Sequence, residues 1–555
     1  MKHLFLFILS FWALSMFAQI APDTYYVQFT DKNNSPYSFN HPEQFLTQRA
    51  IQRRMKHEIP FQENDLPVNP DYLQGVAATG ASILFPTKWF NGVTIQTTNT
   101  AVLDAINALP YVLNISKLHD QPSKQAWKEK AYFANEYYTE SAQNGLKGSA
   151  NSLSFDYGNG LTQISQINGI ALHEAGLRGQ GMVIAVLDGG FADADTHIAF
   201  DSLRANNQIL GTKDFVHRGG SVYTESSHGT SVLSTMGANV PGQLIGTAPK
   251  ASYWLLRSEY VLSEHLIEEF NWASAAEFAD SVGADIINSS LGYIDFDWSQ
   301  WNHAYPDMDG NTCKVTIAAN LAASKGILVV NSAGNSGSSS SFPYIGAPAD
   351  GADVFSIGAV TGEGIRAGFS SIGPTYDGRI KPDVMAMGQN TALANGNNNF
   401  TYGSGTSFSS PVMAGMSACL WQAHPYFSNF EIKDAIMMSG DKAVAPDVQY
   451  GYGIPDFVLA NSFLTSIDTG TQKDVTLLKI SPNPYHHVNG IWFPTQESLV
   501  IRIFDSKGVI VKELSLSGPQ QGLVRDALNG LSSGFYSVDV RSENARQLIK
   551  LVKFN

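Results

Sequence analysis

The chain of 555 residues has only two cysteines, Cys313 and Cys419, and is short of charged residues, which make up 15% of it. The cysteine count excludes a small fold held together by several disulfides, and a chain of this length can build a core without them. Because Cys419 lies in an apolar stretch predicted to be helical, two buried free thiols are favoured over one disulfide, which stays the alternative.

Basic residues are scarce as well. The chain has 35 lysines and arginines against 49 aspartates and glutamates, a formal net charge of −14. This balance argues against nucleic acid or an anionic membrane as a main partner. A local basic cluster, formed by Arg49, Arg53, Arg54 and Lys56, is interpreted as the solvated face of a helix.

Long apolar runs are also missing, except at the N-terminus. Residues 1–19 carry Lys2, then an apolar run over 4–17, then a small residue at a suitable cleavage point. That order is typical of a secretory signal peptide. A membrane anchor is the weaker alternative, because the run is short and contains two serines. The sequence therefore predicts an exported protein with no transmembrane anchor after signal removal.

Pattern and composition divide the rest of the chain into four parts. Residues 20–118 alternate strands and helices, which predicts a small α+β domain. Residues 119–162 are polar and rich in turns, as a linker is. Residues 163–465 alternate apolar runs with helical stretches, the pattern of an α/β fold with a parallel sheet covered on both faces. Residues 474–555 show period-two alternation between turns, which predicts a small β-sandwich.

Three segments of the 163–465 region carry groups suited to nucleophilic catalysis. Ser407 begins an apolar helix, whose N-terminus favours developing negative charge. Asp188 follows a buried apolar strand, and His228 opens an amphipathic stretch. Taken singly, each is more simply explained as a cap of a helix or strand. Together they have the chain order Asp…His…Ser that one serine-protease architecture uses.

The chain resembles the subtilisin-like serine proteases, or subtilases, over roughly residues 165–462. Further segments match the family in the same order: Asp285–Gly292, Gly326–Asn335 and Lys381–Val384. The resemblance implies a subtilisin-like fold and a serine endopeptidase, with Ser407 as nucleophile, His228 as general base and Asp188 orienting the imidazole. It also implies that Asn335 donates a side-chain N–H to the oxyanion. A plain turn residue is the alternative for Asn335.

The resemblance implies a substrate cleft too. Its two backbone walls would be Ser290-Leu291-Gly292 and Ser332-Ala333-Gly334, with Gly346 at the base of the P1 pocket. A glycine at the base supplies no charge, which favours an apolar or broad P1 preference.

Two positions depart from the family pattern. Gly189 follows Asp188 where the family usually has a hydroxyl residue, so a hydrogen bond that supports the aspartate is expected to be missing. Ser231 stands where the family usually has a second, non-catalytic histidine. Neither change removes a reacting group.

No required cofactor is predicted. His173-Glu174 lacks the second histidine of a His-Glu-x-x-His zinc motif. Asp307, Asp309 and Asn311 place oxygen ligands at alternate positions, as in part of a calcium loop, but the distal glutamate is missing. Because subtilases often bind structural calcium, a calcium site stays open here beside a solvated acidic turn.

The flanking regions have resemblances of their own. Residues 20–118 resemble a subtilase propeptide, which implies an intramolecular inhibitor and a maturation cut in the linker; a generic α+β module is the alternative. The C-terminal region resembles the sorting domain of the Bacteroidota type IX secretion system, with a carbohydrate- or protein-binding module as the alternative. The motifs are Pro482-Asn483-Pro484, Asp505–Gly508 and Gly534–Tyr536. The type IX machinery is therefore expected as a partner, with delivery to the cell surface or the medium.

Protein or peptide substrates follow from the subtilase resemblance. Two other functions stay open: a catalytically inert subtilase-fold protein that binds surfaces, and a narrow-specificity maturation protease or peptide transferase. All four proposed reacting groups are present, which favours an active enzyme over the inert protein.

Overall fold

A computed structural model of the chain describes residues 23–119, 136–139 and 153–468, and shorter stretches near the C-terminus: 479–480, 491–493, 498–505, 509–516, 522–524, 531–532, 534–541 and 546–553. The predicted signal peptide and most of the predicted linker lie outside the described residues. Within these ranges, no helix combines the length and the apolar character that a membrane crossing requires.

The N-terminal domain is a four-stranded antiparallel sheet with three helices. Its elements are β1 (Thr24–Phe29), α1 (Gln48–Lys56), α2 (Pro70–Ala78), β2 (Ser82–Thr87), β3 (Gly92–Gln96), α3 (Thr100–Asn107) and β4 (Val112–His119). The strand order is β2-β3-β1-β4. Asn69 and Asn99 begin α2 and α3 by accepting hydrogen bonds from first-turn N–H groups. This is the predicted α+β domain.

The central region contains twelve further strands among its described residues. They are β5 (Tyr137–Thr139), β6 (Val183–Asp188), β7 (Ile209–Asp214), β8 (Asn239–Val240), β9 (Leu244–Ile245), β10 (Ser252–Arg257), β11 (Ile286–Ser289), β12 (Leu328–Ser332), β13 (Phe355–Val360), β14 (Val384–Met387), β15 (Thr391–Asn395) and β16 (Asn399–Ser404). Seven of them form one parallel sheet in the order β14-β13-β12-β11-β6-β10-β7.

Helices cover both faces of this sheet. They are α4 (Leu161–Ser165), α5 (Ile170–Glu174), α6 (Asp201–Ala205), α7 (His228–Gly237), α8 (Ile267–Val282), α9 (Lys314–Ser324), α10 (Thr406–Ala423), α11 (Asn429–Met438) and α12 (Phe457–Asp468). In the central strand β6, Ile184 and Val186 pack in one apolar cluster with α7 and α10. The alternate residues Val183, Ala185 and Leu187 pack with α8 and α9. The predicted parallel sheet with helices on both faces is confirmed.

Helix α1 corrects the interpretation of the basic cluster. Arg53 and Arg54 are only 5% and 1% exposed, whereas Arg49 and Lys56 face solvent. The prediction of a solvated face is therefore wrong for the two central arginines. The physical reason is that α1 packs against α8, where Asp280 supplies the counter-charge to both buried guanidinium groups.

Both cysteines are buried and free, as the sequence predicts. Cys313 precedes α9 and Cys419 lies inside α10, with 1% and 0% exposure. Burial raises the pKa of both thiols far above its ordinary value. Neither thiol is therefore a nucleophile at neutral pH.

The C-terminal region has two small antiparallel sheets. Its strands are β17 (Lys479–Ile480), β18 (Ile491–Phe493), β19 (Leu499–Phe504), β20 (Ile510–Leu516), β21 (Gly522–Val524), β22 (Gly534–Arg541) and β23 (Arg546–Lys553). The strand orders are β17-β18-β21 and β20-β19-β22-β23. Ile501, Ile503, Val538 and Val540 are fully buried, which confirms the predicted alternation. The sandwich arrangement stays a prediction, and Pro482-Asn483-Pro484 and 506–508 lie outside the described residues.

Candidate active site

Asp188 and His228 meet at the carboxyl edge of the parallel sheet. Asp188 is the last residue of β6, and His228 is the first residue of α7. The carboxylate Oδ1 lies 2.7 Å from Nδ1 of the imidazole, and the two side chains are 0% and 6% exposed. Because a carboxylate only accepts hydrogen bonds, Nδ1 carries a proton, and Nε2 is left for the other side of the ring.

The second oxygen of Asp188 has no such support. Oδ1 also accepts the backbone N–H of Gly189 at 2.7 Å, but the buried Oδ2 has no hydrogen-bond partner among the described residues. A Cβ added to Gly189 would lie 2.5 Å from Cγ1 of Val261. Oδ2 therefore lacks a hydrogen bond, as the glycine at position 189 predicts. The side chain of Val261 fills the space that a hydroxyl-bearing side chain at position 189 would need.

Ser407 lies in the first turn of α10. It is fully buried, and within the described part of the chain its hydroxyl hydrogen bonds to one group, the carbonyl oxygen of Ser290, at 3.4 Å. In return, the hydroxyl of Ser290 donates to the carbonyl oxygen of Ser407 at 2.9 Å. The ring of Phe408 lies beside the imidazole, with a centroid distance of 6.0 Å. These contacts fix the turn that carries the serine.

Asn335 is fixed by the residue that precedes Ser407. Its Oδ1 accepts the backbone N–H of Thr406 at 2.8 Å and the hydroxyl of the same residue at 2.9 Å. These two donors assign the amide orientation, since only the oxygen can accept them. The Nδ2 group therefore points away from α10, and it donates to a carboxylate oxygen of Glu136 at 3.4 Å. An oxyanion donor needs this orientation.

The two predicted cleft walls follow neighbouring parallel strands. Ser290-Leu291-Gly292 comes directly after β11, and Ser332-Ala333-Gly334 lies at the end of β12. Asn331 connects them by donating from Nδ2 to the carbonyl oxygen of Leu291 at 3.0 Å. Gly346 lies nearby, but a Cβ there would meet Cδ1 of Ile294 at 2.8 Å. The walls share the edge that carries Asp188, whereas the space beside Gly346 is already filled.

Glu136 was missed by the sequence analysis, which placed it in the linker. It directly precedes β5, which pairs antiparallel with β16 in the register Ser404↔Tyr137. Its carboxylate oxygen Oε2 lies 3.2 Å from Nε2 of His228, and its side chain is 3% exposed. The aromatic pair after Glu136 was the only local sign of a strand in this polar stretch.

The charges around His228 decide its protonation state. Burial alone lowers the pKa of the imidazole, but the carboxylates of Asp188 and Glu136 outweigh burial and raise it to about 10. His228 is therefore an imidazolium at neutral pH in this arrangement.

Two clusters of acidic side chains are candidates for binding a metal ion. Asp309 accepts hydrogen bonds from the N–H groups of Asn311 and Thr312 at 2.8 and 2.9 Å, so its carboxylate closes its own turn. The predicted calcium in this loop stays a prediction. Within the described residues, one set of carboxylates has metal-ligand spacing: Glu259, Glu264 and Glu268. Glu268 already accepts two backbone N–H groups, and Glu259 accepts the hydroxyl of Tyr293.

Comparison with known proteins identifies the family. Subtilisin of Bacillus pumilus is 32% identical over 280 residues, which cover 49% of this chain and 88% of that protein. The chain belongs to the subtilase family. A sequence model of that family matches residues 179–453. Models of the Bacteroidota peptidase S8 propeptide domain and of the secretion system C-terminal sorting domain match residues 24–132 and 479–553.

With two other relatives, the match spans a smaller share of the relative's own length. Subtilisin NAT of Bacillus subtilis subsp. natto and subtilisin E of Bacillus subtilis (strain 168) are each 33% identical over 280 residues. These residues are 49% of this chain and 64% of each relative. Among solved structures, that of prenylagaramide maturation protease PagA matches with a TM-score of 0.42 at 23% identity, over 54% of this chain and 98% of that one.

The three domain matches define the subtilase as a secreted one. It has a propeptide domain before the catalytic domain and a type IX sorting domain after it. The sorting domain indicates secretion, with delivery to the cell surface or the medium.

Proposed function

We propose that this subtilase is a secreted serine endopeptidase, made as a zymogen, with Ser407, His228 and Asp188 as its triad and Asn335 in its oxyanion hole. The observation that carries the proposal is the buried 2.7 Å contact between Asp188 and His228, whose ring lies beside Phe408 in the first turn of α10. A buried Asp–His pair facing a serine at a helix N-terminus is the arrangement that nucleophilic catalysis by serine requires.

Each group has a defined part in the reaction. Once Nε2 of His228 is deprotonated, it takes the proton of Ser407, whose oxygen attacks the carbonyl carbon of the peptide bond. Asp188 stabilises the imidazolium, which then protonates the leaving amine. Water, deprotonated by the same nitrogen, hydrolyses the acyl-enzyme. Asn335 stabilises both tetrahedral oxyanions, and loss of such a donor costs about 10²–10³ in kcat, a figure that comes from a subtilisin itself.

The partners follow from the domains. We propose protein or peptide substrates with an apolar or broad P1 preference, bound between Ser290–Gly292 and Ser332–Gly334. The domain over 20–118 acts as an intramolecular inhibitor and is removed by a cut within 119–162. The type IX machinery exports the chain through its domain over 474–555. The chemistry uses side chains and a helix N-terminus and requires no cofactor; a structural calcium at residues 307–311 belongs to the same prediction.

A serine-directed fluorophosphonate probe tests the proposal. The chain freed of its N-terminal domain by limited proteolysis is expected to be labelled and to cleave casein. Ser407→Ala should abolish both, whereas Ser409→Ala, which changes a buried serine two positions along the same helix, should retain them. Casein cleavage by Ser407→Ala would refute the assignment. An inert fold would give no labelling at all, and a narrow-specificity protease or transferase would be labelled without cleaving casein.

A further inference from the structure

The carboxylate of Glu136 occupies the centre of the site. One oxygen lies 3.2 Å from Nε2 of His228, and the other accepts the Nδ2 group of Asn335 at 3.4 Å. A Cβ added to Gly405 would lie 2.7 Å from Oε1, so the carboxylate also lies directly on the backbone that precedes Ser407. The groups proposed to handle the proton and the oxyanion therefore both contact one acidic side chain of the chain itself.

This contact separates the nucleophile from its base. Nε2 of His228 faces Glu136, while the hydroxyl of Ser407 hydrogen bonds to the carbonyl oxygen of Ser290. Two carboxylates flank the ring, and Nε2 lies at ion-pair distance from the one that cannot donate a proton, so the contact with Glu136 stabilises the protonated form of Nε2. An imidazolium has no lone pair with which to accept the proton of the serine. The buried carboxylate thus holds the histidine in the form that cannot act.

The segment that carries Glu136 is anchored as an added strand. β5 pairs with β16 through three residues, Tyr137, Tyr138 and Thr139. The hydroxyl of Thr401 donates to the carbonyl oxygen of Thr139 at 2.8 Å, and the ring of Tyr138 packs on Phe408 with a centroid distance of 5.9 Å. Main-chain pairing of this kind supplies affinity, and the side chain beside it supplies specificity. Strand pairing therefore fixes where the carboxylate of Glu136 is placed.

We propose that Glu136 is an intramolecular inhibitor, whose carboxylate blocks Nε2 of His228 and the amide of Asn335 until the 136–139 strand leaves β16. This inference rests on the proposed function, and it adds a second block to the one that the N-terminal domain provides. Inhibition by Glu136 is electrostatic, whereas a domain that covers the cleft excludes substrate sterically. A negative oxygen beside Asn335 takes the place of the oxyanion, and the fixed ion pair with His228 removes the general base. Neutralising one side chain should therefore raise the reactivity of Ser407 while the N-terminal domain is still attached, without reaching that of the freed chain.

The test compares initial rates of fluorophosphonate labelling of the intact full-length chain, before any shorter product is visible. Glu136→Gln keeps the shape of the side chain and removes its charge, and it is expected to label at least tenfold faster than wild type. Glu363→Gln makes the same charge change on the exposed surface of the catalytic domain and should label as wild type does. The wild-type chain from which both the N-terminal domain and the 136–139 strand have been removed gives the fully released rate.

Two results of the labelling test would overturn the inference. If Glu136→Gln labels no faster than wild type while the freed chain labels rapidly, the N-terminal domain alone causes the block. If no form of the protein is labelled, the proposed function fails and the inference fails with it.

A second measurement does not depend on activity. In the Ser407→Ala background, the nitrogen-bound proton signals of His228 report its charge by NMR. We expect Nε2 to be protonated at pH 8 with Glu136 and to lose its proton in the Glu136→Gln chain. An unchanged protonation state in a folded Glu136→Gln chain would equally refute the inhibitor role.

Discussion

Arg54 of the N-terminal domain and Asp280 of α8 form an ion pair closed to solvent, with Nη2 2.9 Å from each carboxylate oxygen. Lys88 and Arg53 contact the same carboxylate at 3.2 and 2.6 Å. Burial raises the pKa of Asp280, but Lys88, Arg54 and Arg53 outweigh burial and lower it to about 2. One carboxylate of the catalytic domain therefore contacts three cations of the domain that covers it, one of which, Arg54, also pairs with Asp65 of its own domain.

Removing that carboxylate should loosen the two domains. Asp280→Ala removes the paired carboxylate of the buried Arg53 and Lys88 and leaves Arg54 with Asp65, which we expect to cost about 3–5 kcal/mol of the free energy of unfolding. Because the pKa of Asp280 is depressed below 3.8, its contribution is present above that pH and is lost as the pH falls towards about 2. Denaturant unfolding of the Ser407→Ala chain, which cannot cleave itself, measures both effects.

The control for this variant is Lys442→Met. It breaks the solvent-exposed pair of Lys442 with Asp447 and should leave the free energy of unfolding nearly unchanged, because water and salt screen such a pair. If Asp280→Ala were as mild as this control, the buried network would not hold the domains together.

Gly189 is expected to tolerate no side chain while Val261 is present. Gly189→Ser would place its Cβ 2.5 Å from a methyl group of a stiff β-branched residue. We expect this overpacking to cost about 1–3 kcal/mol and to lower kcat by displacing Asp188. Val261→Ala in the same chain should restore stability and activity beyond the level of either single variant, because it makes room for a hydroxyl near the orphaned Oδ2. Wild-type stability and activity of Gly189→Ser alone would contradict this.

Alkaline pH should release the block at His228. The pKa of this residue is raised from 6.5 to about 10, so the stabilisation that its proton gives to the blocked state is fully present below pH 6.5 and is lost as the pH rises through about 10. The groups facing the ring are Asp188, Glu136 and the apolar Phe408. The labelling rate of the full-length chain should therefore climb between pH 7 and 10, after subtraction of probe hydrolysis.

Glu136→Gln provides the control for this pH profile. It should move the midpoint to lower pH, because one of the two carboxylates that raise the pKa is gone. A profile with the same midpoint in both chains would show that Glu136 does not set it.

The members of the proposed triad could be selected from the sequence because strong local signals lie beside them. Asp188 ends an apolar strand, and Ser407 begins an apolar helix. The carboxyl ends of parallel strands meet at one edge, so these signals also imply a common site. Glu136 has no such signal, since its position depends on pairing with the distant strand β16. The burial of Arg54 could not be predicted from the local sequence either, because Asp280, which pairs with it, lies on another domain.

The C-terminal domain should be dispensable for catalysis and essential for export. The proposed triad lies wholly before it, and α12, which ends at Asp468, closes the described catalytic region. A chain that ends after Asp468 should keep kcat/KM for a small peptide substrate within about twofold, because no reacting group is removed.

In the native host the same chain should accumulate in the periplasm, since the predicted signal peptide directs transport across the inner membrane only. Full-length Ser407→Ala is the matched control, inactive but exported. Fractionation and peptide kinetics separate the two roles: normal export of the truncated chain would refute sorting by this domain, and collapse of its activity would make the domain part of the catalytic fold.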